Sequence, residues 1–154
     1  MVMSSILFVC TGNLCRSPMA MGILRQRLAE QGLADRYQVH SAGVWAVDGR
    51  PASENATAVM AERGIDISDH TAHTVNAGDM AEADLILVMS REHSQVIRST
   101  WPQYEWKMYR LSEMTGKRQD IDDPYSSSIE QYRQCADVIA SYIDRGLERI
   151  LELA

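Results

Sequence analysis

Ile6-Leu7-Phe8-Val9-Cys10-Thr11-Gly12-Asn13-Leu14-Cys15-Arg16-Ser17-Pro18 is the stretch that decides how this chain folds. Its first four residues are a continuous apolar run, as expected of a strand buried on both faces of a sheet. A short polar turn follows. Ser17 then offers an N-cap and Pro18 a first helical residue, so the spacing predicts a helix from there. Met19, Ile23, Leu24 and Leu28 recur at helical intervals beyond it, and Gly32 marks the stop.

The same alternation continues outward. Tyr37 to Ser41 is a short strand candidate, followed by a loop over 42–52. Ser53 to Arg63 places Ala56, Val59 and Met60 on one helical face, with Gly64 beyond its end. Residues 83–89 contain the buried-strand run Leu85-Ile86-Leu87-Val88, and Ser90 suits the cap of a helix through Val96 and Ile97. Trp106, Met108 and Tyr109 suggest a weaker strand before the polar stretch 112–128. A final helix over 128–151 carries Tyr132, Ala136, Ile139, Ile143, Leu147 and Ile150 on one stripe. Strands alternating with helices predict an α/β fold, a parallel sheet covered on both faces. With no repeat, low-complexity tract or linker, residues 1–154 form one domain.

Composition removes several classes of function. A formal net charge of −6 leaves no general basic surface for nucleic acid or anionic lipid, so any phosphorylated ligand must be held by a local pocket. No apolar run approaches the roughly 20 residues that span a bilayer, and the N-terminus lacks the pattern of a signal peptide. Three cysteines, an odd number, fit reduced thiols in the cytoplasm better than a disulfide framework. His40, His70, His73 and His93 show no ligand spacing, so no metal site is expected. The scattered methionines read as core filler.

The chemistry is expected in Thr11-Gly12-Asn13-Leu14-Cys15-Arg16-Ser17. Ligands of open α/β sheets bind beyond the carboxyl ends of the strands, where helix N-termini offer unpaired N–H groups and partial positive charge. The residues between Cys10 and Arg16 let successive amides turn inward, with Gly12 expected to supply conformational freedom. Arg16 closes the ring, because a guanidinium grips two phosphate oxygens in parallel. That positive environment favours a Cys10 thiolate, to which Ser17 is placed to donate. A Walker loop is excluded by the missing Gly-Lys-Ser/Thr ending. Phosphoryl transfer to sulfur also needs an acid opposite the cradle, and Asp120-Ile121-Asp122-Asp123-Pro124-Tyr125 supplies candidates. Pro124 biases Asp123 towards an extended conformation that aims its side chain.

Cys-Thr-Gly-Asn-Leu-Cys-Arg-Ser-Pro over 10–18, with Asp123-Pro124-Tyr125 late in the chain, resembles the low-molecular-weight protein tyrosine phosphatase family. The resemblance includes Ser41-Ala42-Gly43 and spans nearly the whole chain. It implies a three-layer fold with a four-stranded parallel sheet flanked by helices on both faces, and no metal or organic cofactor. It further implies that Cys10 attacks phosphorus to form a phosphocysteine while Arg16 and the loop amides hold the equatorial oxygens. Asp123 is then the acid and later the base. Asn13 holds the loop, supported by Ser41 and His70, while Tyr125 and Trp45 form facing walls of the cleft. Cys15 becomes a redox partner able to form a protective disulfide with Cys10. Implied partners are phosphotyrosine proteins, a tyrosine kinase among them. Separately, a small domain with no obvious exposed apolar stripe is expected to work as a monomer.

Other readings remain within the motif. Thioredoxin-coupled arsenate reductases need further cysteines after the third strand, where this chain reads Val88-Met89-Ser90-Arg91-Glu92-His93-Ser94. Protein arginine phosphatases share Cys-Thr-Gly-Asn but resemble Thr at the next position and Phe at the wall. Leu14 and Tyr125 point instead to an aromatic substrate, a preference that such a change shifts by about 1–3 kcal/mol. A non-catalytic phosphate-binding or redox module built on Cys10 and Cys15 is the reading from a different class.

Overall fold

The apolar run that opens the chain becomes an inner strand. A computed structural model gives the structure of residues 2–154, with β1 (Ser4–Cys10) between β2 (Tyr37–Gly43) and β3 (Leu85–Val88), and β4 (Met108–Arg110) outside β3. Every pairing is parallel, in the order β2-β1-β3-β4. Because both inner strands are covered above and below, residues 6–9 and 85–88 are at most 2% exposed. Side chains alternate between the two faces of a strand, so this one segment feeds two cores. Ile6 and Phe8 join Met19, Ile23 and Leu24 of α1 (Arg16–Glu30), and Ile139 and Ile143 of α5 (Ile129–Leu153). Val59 and Met60 of α2 (Glu54–Glu62) pack into the same cluster. Leu7 and Val9 face Met80 of α3 (Ala77–Glu82) and Ile97 of α4 (Arg91–Thr100). Each such buried side chain contributes about 1.5–3 kcal/mol of transfer free energy. The three-layer α/β architecture is the one expected.

Several boundaries move for identifiable reasons. Helix α1 starts at Arg16 with Cys15 at the N-cap, so Ser17 does not cap it. The Ser17 hydroxyl is turned inward instead, 2.9 Å from Cys10 Sγ. Its far end behaves as read: Gly32 sits at φ 70°, and Leu33 N–H donates to Leu28 O at 2.8 Å. Ser53 caps α2 by accepting from Ala56 N–H, and Gly64 follows that helix at φ 74°. Trp106 belongs to a 3₁₀ turn, Pro102–Lys107, and is 74% exposed, so β4 begins only at Met108. Helix α3 is not legible in the sequence, because six residues with one buried side chain leave no periodic trace. Among the described residues, no helix is long and apolar enough to cross a membrane.

Candidate active site

β1 ends at Cys10, and the loop to α1 passes over the end of β2. The loop carbonyls are turned outward. Val44 N–H donates to Cys10 O (2.9 Å), Trp45 N–H to Thr11 O (2.9 Å), Ser53 N–H to Leu14 O (2.9 Å) and Met19 N–H to Cys15 O (3.1 Å). His70 Nε2 donates to Asn13 O at 2.8 Å. Among the described residues, no N–H from Thr11 to Cys15 finds a protein acceptor. Amides that neither join secondary structure nor bond to a side chain are the donors of an anion cradle, here at the N-terminus of a long helix.

Two residues set that curvature. Asn13, rather than Gly12, takes the left-handed conformation, at φ 57°. Its side chain offsets the strain: Nδ2 donates to Ser17 Oγ (2.8 Å) and Ser41 Oγ (2.9 Å), and Oδ1 accepts from His73 N–H (3.1 Å). Gly43 lies directly beneath the loop. A Cβ there would stand 2.4 Å from Thr11 O and 2.9 Å from Asn13 N, so only glycine fits this crossing.

Cys10 is buried at the floor. The Ser17 hydroxyl beside it accepts from Asn13 Nδ2, which frees its own proton for the sulfur. Arg16, 4% exposed, reaches across the rim: Nη1 donates to Ile121 O (2.8 Å) and Nη2 to Thr11 Oγ1 (3.3 Å). Its Nε is buried without any partner, the only such side-chain atom among the described residues. A buried, unpaired guanidinium N–H needs an acceptor that the protein does not supply.

Asp123 stands opposite, its Oδ2 3.5 Å from Arg16 Nη2 and its side chain 45% exposed. Tyr125 N–H donates to Asp123 Oδ1 at 3.1 Å, a local turn that fixes the carboxylate. A cavity of about 210 Å³ is walled by Cys10, Leu14, Arg16, Asp123 and Tyr125, together with Thr11, Gly12, Cys15 and Arg50. The other two acids of this loop are elsewhere. Asp120 accepts from Arg91 N–H (2.8 Å) and Arg110 Nη1 (3.2 Å), and the exposed Asp122 does not line the cavity.

Trp45 holds the loop through its backbone N–H, but its side chain is 60% exposed and does not wall the cavity. Arg50 does. Its backbone is pinned by Gly49 N–H to Ala72 O (2.8 Å) and Ala72 N–H to Arg50 O (2.7 Å). Sequence reading missed Arg50, since nothing local distinguishes it from any loop arginine. His93 has no role legible in the sequence, yet it is fully buried and its Nε2 lies 2.8 Å from Thr11 Oγ1. The signal available was the spacing Ser90-x-x-His93, a capping box with histidine in place of Glu. Burial, with Arg16 beside it, pulls the His93 pKa down to about 4. Burial also lowers that of His70.

Cys15 Sγ lies 3.3 Å from Tyr132 Oη and 3.4 Å from Ser53 Oγ, and burial pushes its thiol pKa up. Burial likewise raises Tyr132 and Cys135 to about 12 each. All three cysteines are free. A larger groove of about 540 Å³ runs behind the loop past Arg25, His40 and His70, but no cysteine lines it. Among the described residues, no cluster of three or more His, Cys, Asp or Glu side chains is arranged to hold a metal.

Comparison with known proteins gives a consistent result. The family model described as "Low molecular weight phosphotyrosine protein phosphatase" matches residues 5–152. A probable low molecular weight protein-tyrosine-phosphatase, EpsP, of Ralstonia nicotianae is 40% identical over 152 residues, covering 99% of each chain. A protein-arginine-phosphatase of Bacillus subtilis is 38% identical over 133 residues, covering 86% of this chain and 87% of the relative. The crystal structure of a low molecular weight protein tyrosine phosphatase from T. tengcongensis superposes with a TM-score of 0.90 at 40% identity, covering 95% of this chain and 99% of that one.

Proposed function

This chain belongs to the low molecular weight phosphotyrosine protein phosphatase family, and from that membership we propose that Cys10, Arg16 and Asp123 hydrolyse phosphotyrosine in two steps. The Cys10 thiolate attacks phosphorus in line. The S–P bond forms as the bond to the tyrosine oxygen breaks, and Asp123 gives that oxygen its proton. Water then attacks the phosphocysteine, Asp123 takes a proton from it, and Cys10 leaves as thiolate with Ser17 donating to the sulfur. The loop amides and the free Arg16 N–H bind the three equatorial oxygens, where charge develops.

One observation carries this reading: the donors around Cys10 Sγ lack acceptors, while the loop carbonyls are occupied. A phosphoryl group supplies what is missing.

The structure of the mouth supports an aromatic substrate. Leu14, 8% exposed, and Tyr125 wall the cavity with apolar surface suited to a phenyl ring. Arg50 lines the same cavity, and its cation would repel the guanidinium of a phosphoarginine. Phosphoproteins are the substrate class, with a tyrosine kinase as one candidate, and the enzyme acts as a monomer in the cytoplasm, where free thiols persist. Cys15 is the thiol that condenses with a Cys10 sulfenic acid, releasing water and leaving a disulfide, once a peroxide has oxidised Cys10.

The test compares native protein, Cys10→Ser and Leu14→Thr on para-nitrophenyl phosphate and on phosphotyrosine and phosphoarginine peptides, with mass spectrometry of rapidly quenched turnover. Native protein should prefer phosphotyrosine and yield phosphate on Cys10, and Leu14→Thr should narrow the preference. Equal turnover by native and Cys10→Ser would reject the thiolate mechanism; none by either would favour a binding module.

A further inference from the structure

Building on that reading of the Cys10 cavity, we infer that Thr11 presents its hydroxyl proton to the bound phosphoryl group, and that His93 is the positioning residue that fixes this orientation.

His93 occupies the third position of α4, with its ring folded back onto the helix start. Ser90 N–H donates to His93 Nδ1 at 3.1 Å, and the Ser90 hydroxyl lies at 3.1 Å from the same nitrogen. A backbone N–H can only donate, so Nδ1 is the acceptor nitrogen and the ring proton sits on Nε2. That Nε2–H therefore donates to Thr11 Oγ1, 2.8 Å away. Arg16 Nη2 reaches the same oxygen at 3.3 Å, and a guanidinium has no acceptor to offer. A threonine hydroxyl has two lone pairs and one proton. Both lone pairs are occupied, one from α4 and one from α1.

The proton is then left over. Among the described residues no protein acceptor is bonded to it, since Thr11 Oγ1 meets only His93 and Arg16. Thr11 walls the same cavity as Cys10 and Asp123. The acceptors that enter this cavity are the oxygens of the phosphorylated substrate, and a dianionic phosphoryl oxygen takes a charge-assisted hydrogen bond. Thr11 thus adds a side-chain donor to the ring of backbone amides. His93, fully buried and 82 residues away in sequence, prevents the hydroxyl from rotating to accept from the ligand instead.

A double-mutant cycle tests this by direct calorimetric titration of orthophosphate, which does not require turnover. Thr11→Val keeps the shape and removes the hydroxyl; it should weaken orthophosphate about 10-fold, as expected for loss of one hydrogen bond to a charged group. Thr11→Ser should stay within about two-fold of native. His93→Ala should also weaken phosphate in the native background, but add nothing in the Thr11→Val background. A merely structural role would multiply the two losses. His93→Gln is carried alongside in case His93→Ala disorders the start of α4; it retains a donor amide and should recover part of the affinity. Native-like phosphate binding by Thr11→Val, or losses that multiply in the double variant, would overturn the inference. Loss of Cys10-dependent turnover in native protein would instead strike at the phosphatase reading, so the two failures separate.

Discussion

Replacing Gly43 with alanine should disable the cradle while leaving the fold largely intact. The added Cβ would stand 2.4 Å from Thr11 O, whereas real contacts of this kind begin at 3.0 Å and are unstrained only beyond 3.4 Å. The carbonyl must therefore withdraw by roughly 0.6–1.0 Å, because β2 is held in register with β1 from Tyr37 to Gly43 and cannot yield instead. Thr11 O and Gly12 N–H belong to one planar peptide unit, so moving the oxygen swings a donor of the proposed phosphate cradle. Misplacement of that size near reacting atoms costs about 10²-fold, or about 2.7 kcal/mol of transition-state stabilisation. The cost to stability should be smaller, about 1–3 kcal/mol for local overpacking. Steady-state kcat/KM on para-nitrophenyl phosphate, read beside urea unfolding, distinguishes the two effects. A folded Gly43→Ala protein retaining kcat/KM within about three-fold of native would show that the close crossing does not set the cradle's geometry.

Two other outcomes are expected. Asp123→Ala should slow substrates with poor leaving groups far more than those with good ones, and Asp122→Ala should not; the reverse pattern would move the acid one residue earlier. Burial, and then the Arg16 guanidinium, pull the His93 pKa from its ordinary 6.5 down to about 4, with Asp123 and Asp120 opposing. The unfolded chain therefore takes up a proton on this residue between those values while the native one resists, so its stabilising contribution, present above pH 6.5, is lost as pH falls to 4. The loss is up to about 3 kcal/mol, in the same direction as that from His70. Urea unfolding at pH 7 and 4.5 should give a smaller difference for His93→Gln than for native protein, and equal differences would refute the assignment.

What the sequence disclosed was whatever chemistry is written contiguously. Residues 10–18 hold nucleophile, guanidinium and helix start within one turn of chain, and Asp123-Pro124 carries its own aiming device. The partners that make the loop work are spread along the chain. Trp45, Ser53 and His70 occupy the loop carbonyls, and His93 reaches Thr11 from α4, contacts created only when β2 and β3 flank β1. Conformational strain was legible in kind but misplaced by one residue. Glycine is the default for positive φ, yet Asn13 takes it because its amide bonds to Ser17, Ser41 and the His73 backbone. Trp45 and Arg50 show the complementary error. A tryptophan in a loop near an active site invites a binding role, but backbone pairing at Ala72 brings the arginine to the mouth instead.

In the proposed mechanism, Arg16 lets a chain of net charge −6 concentrate phosphate at one point. Its three nitrogens are engaged differently: Nη1 donates to Ile121 O in the loop that carries Asp123, Nη2 touches Thr11 and Asp123, and Nε has no partner among the described residues. Planarity makes these contacts dependent on one another. When a phosphoryl oxygen accepts a hydrogen bond from Nε–H, the guanidinium plane is fixed, and with it the position of the proposed acid relative to the sulfur. A lysine would deliver the same charge without that plane, because an ammonium carries no fixed fork. Attraction therefore comes from oriented amides and one buried guanidinium rather than from the protein's overall field. Such buried pairings are screened far less by salt than contacts between exposed charges.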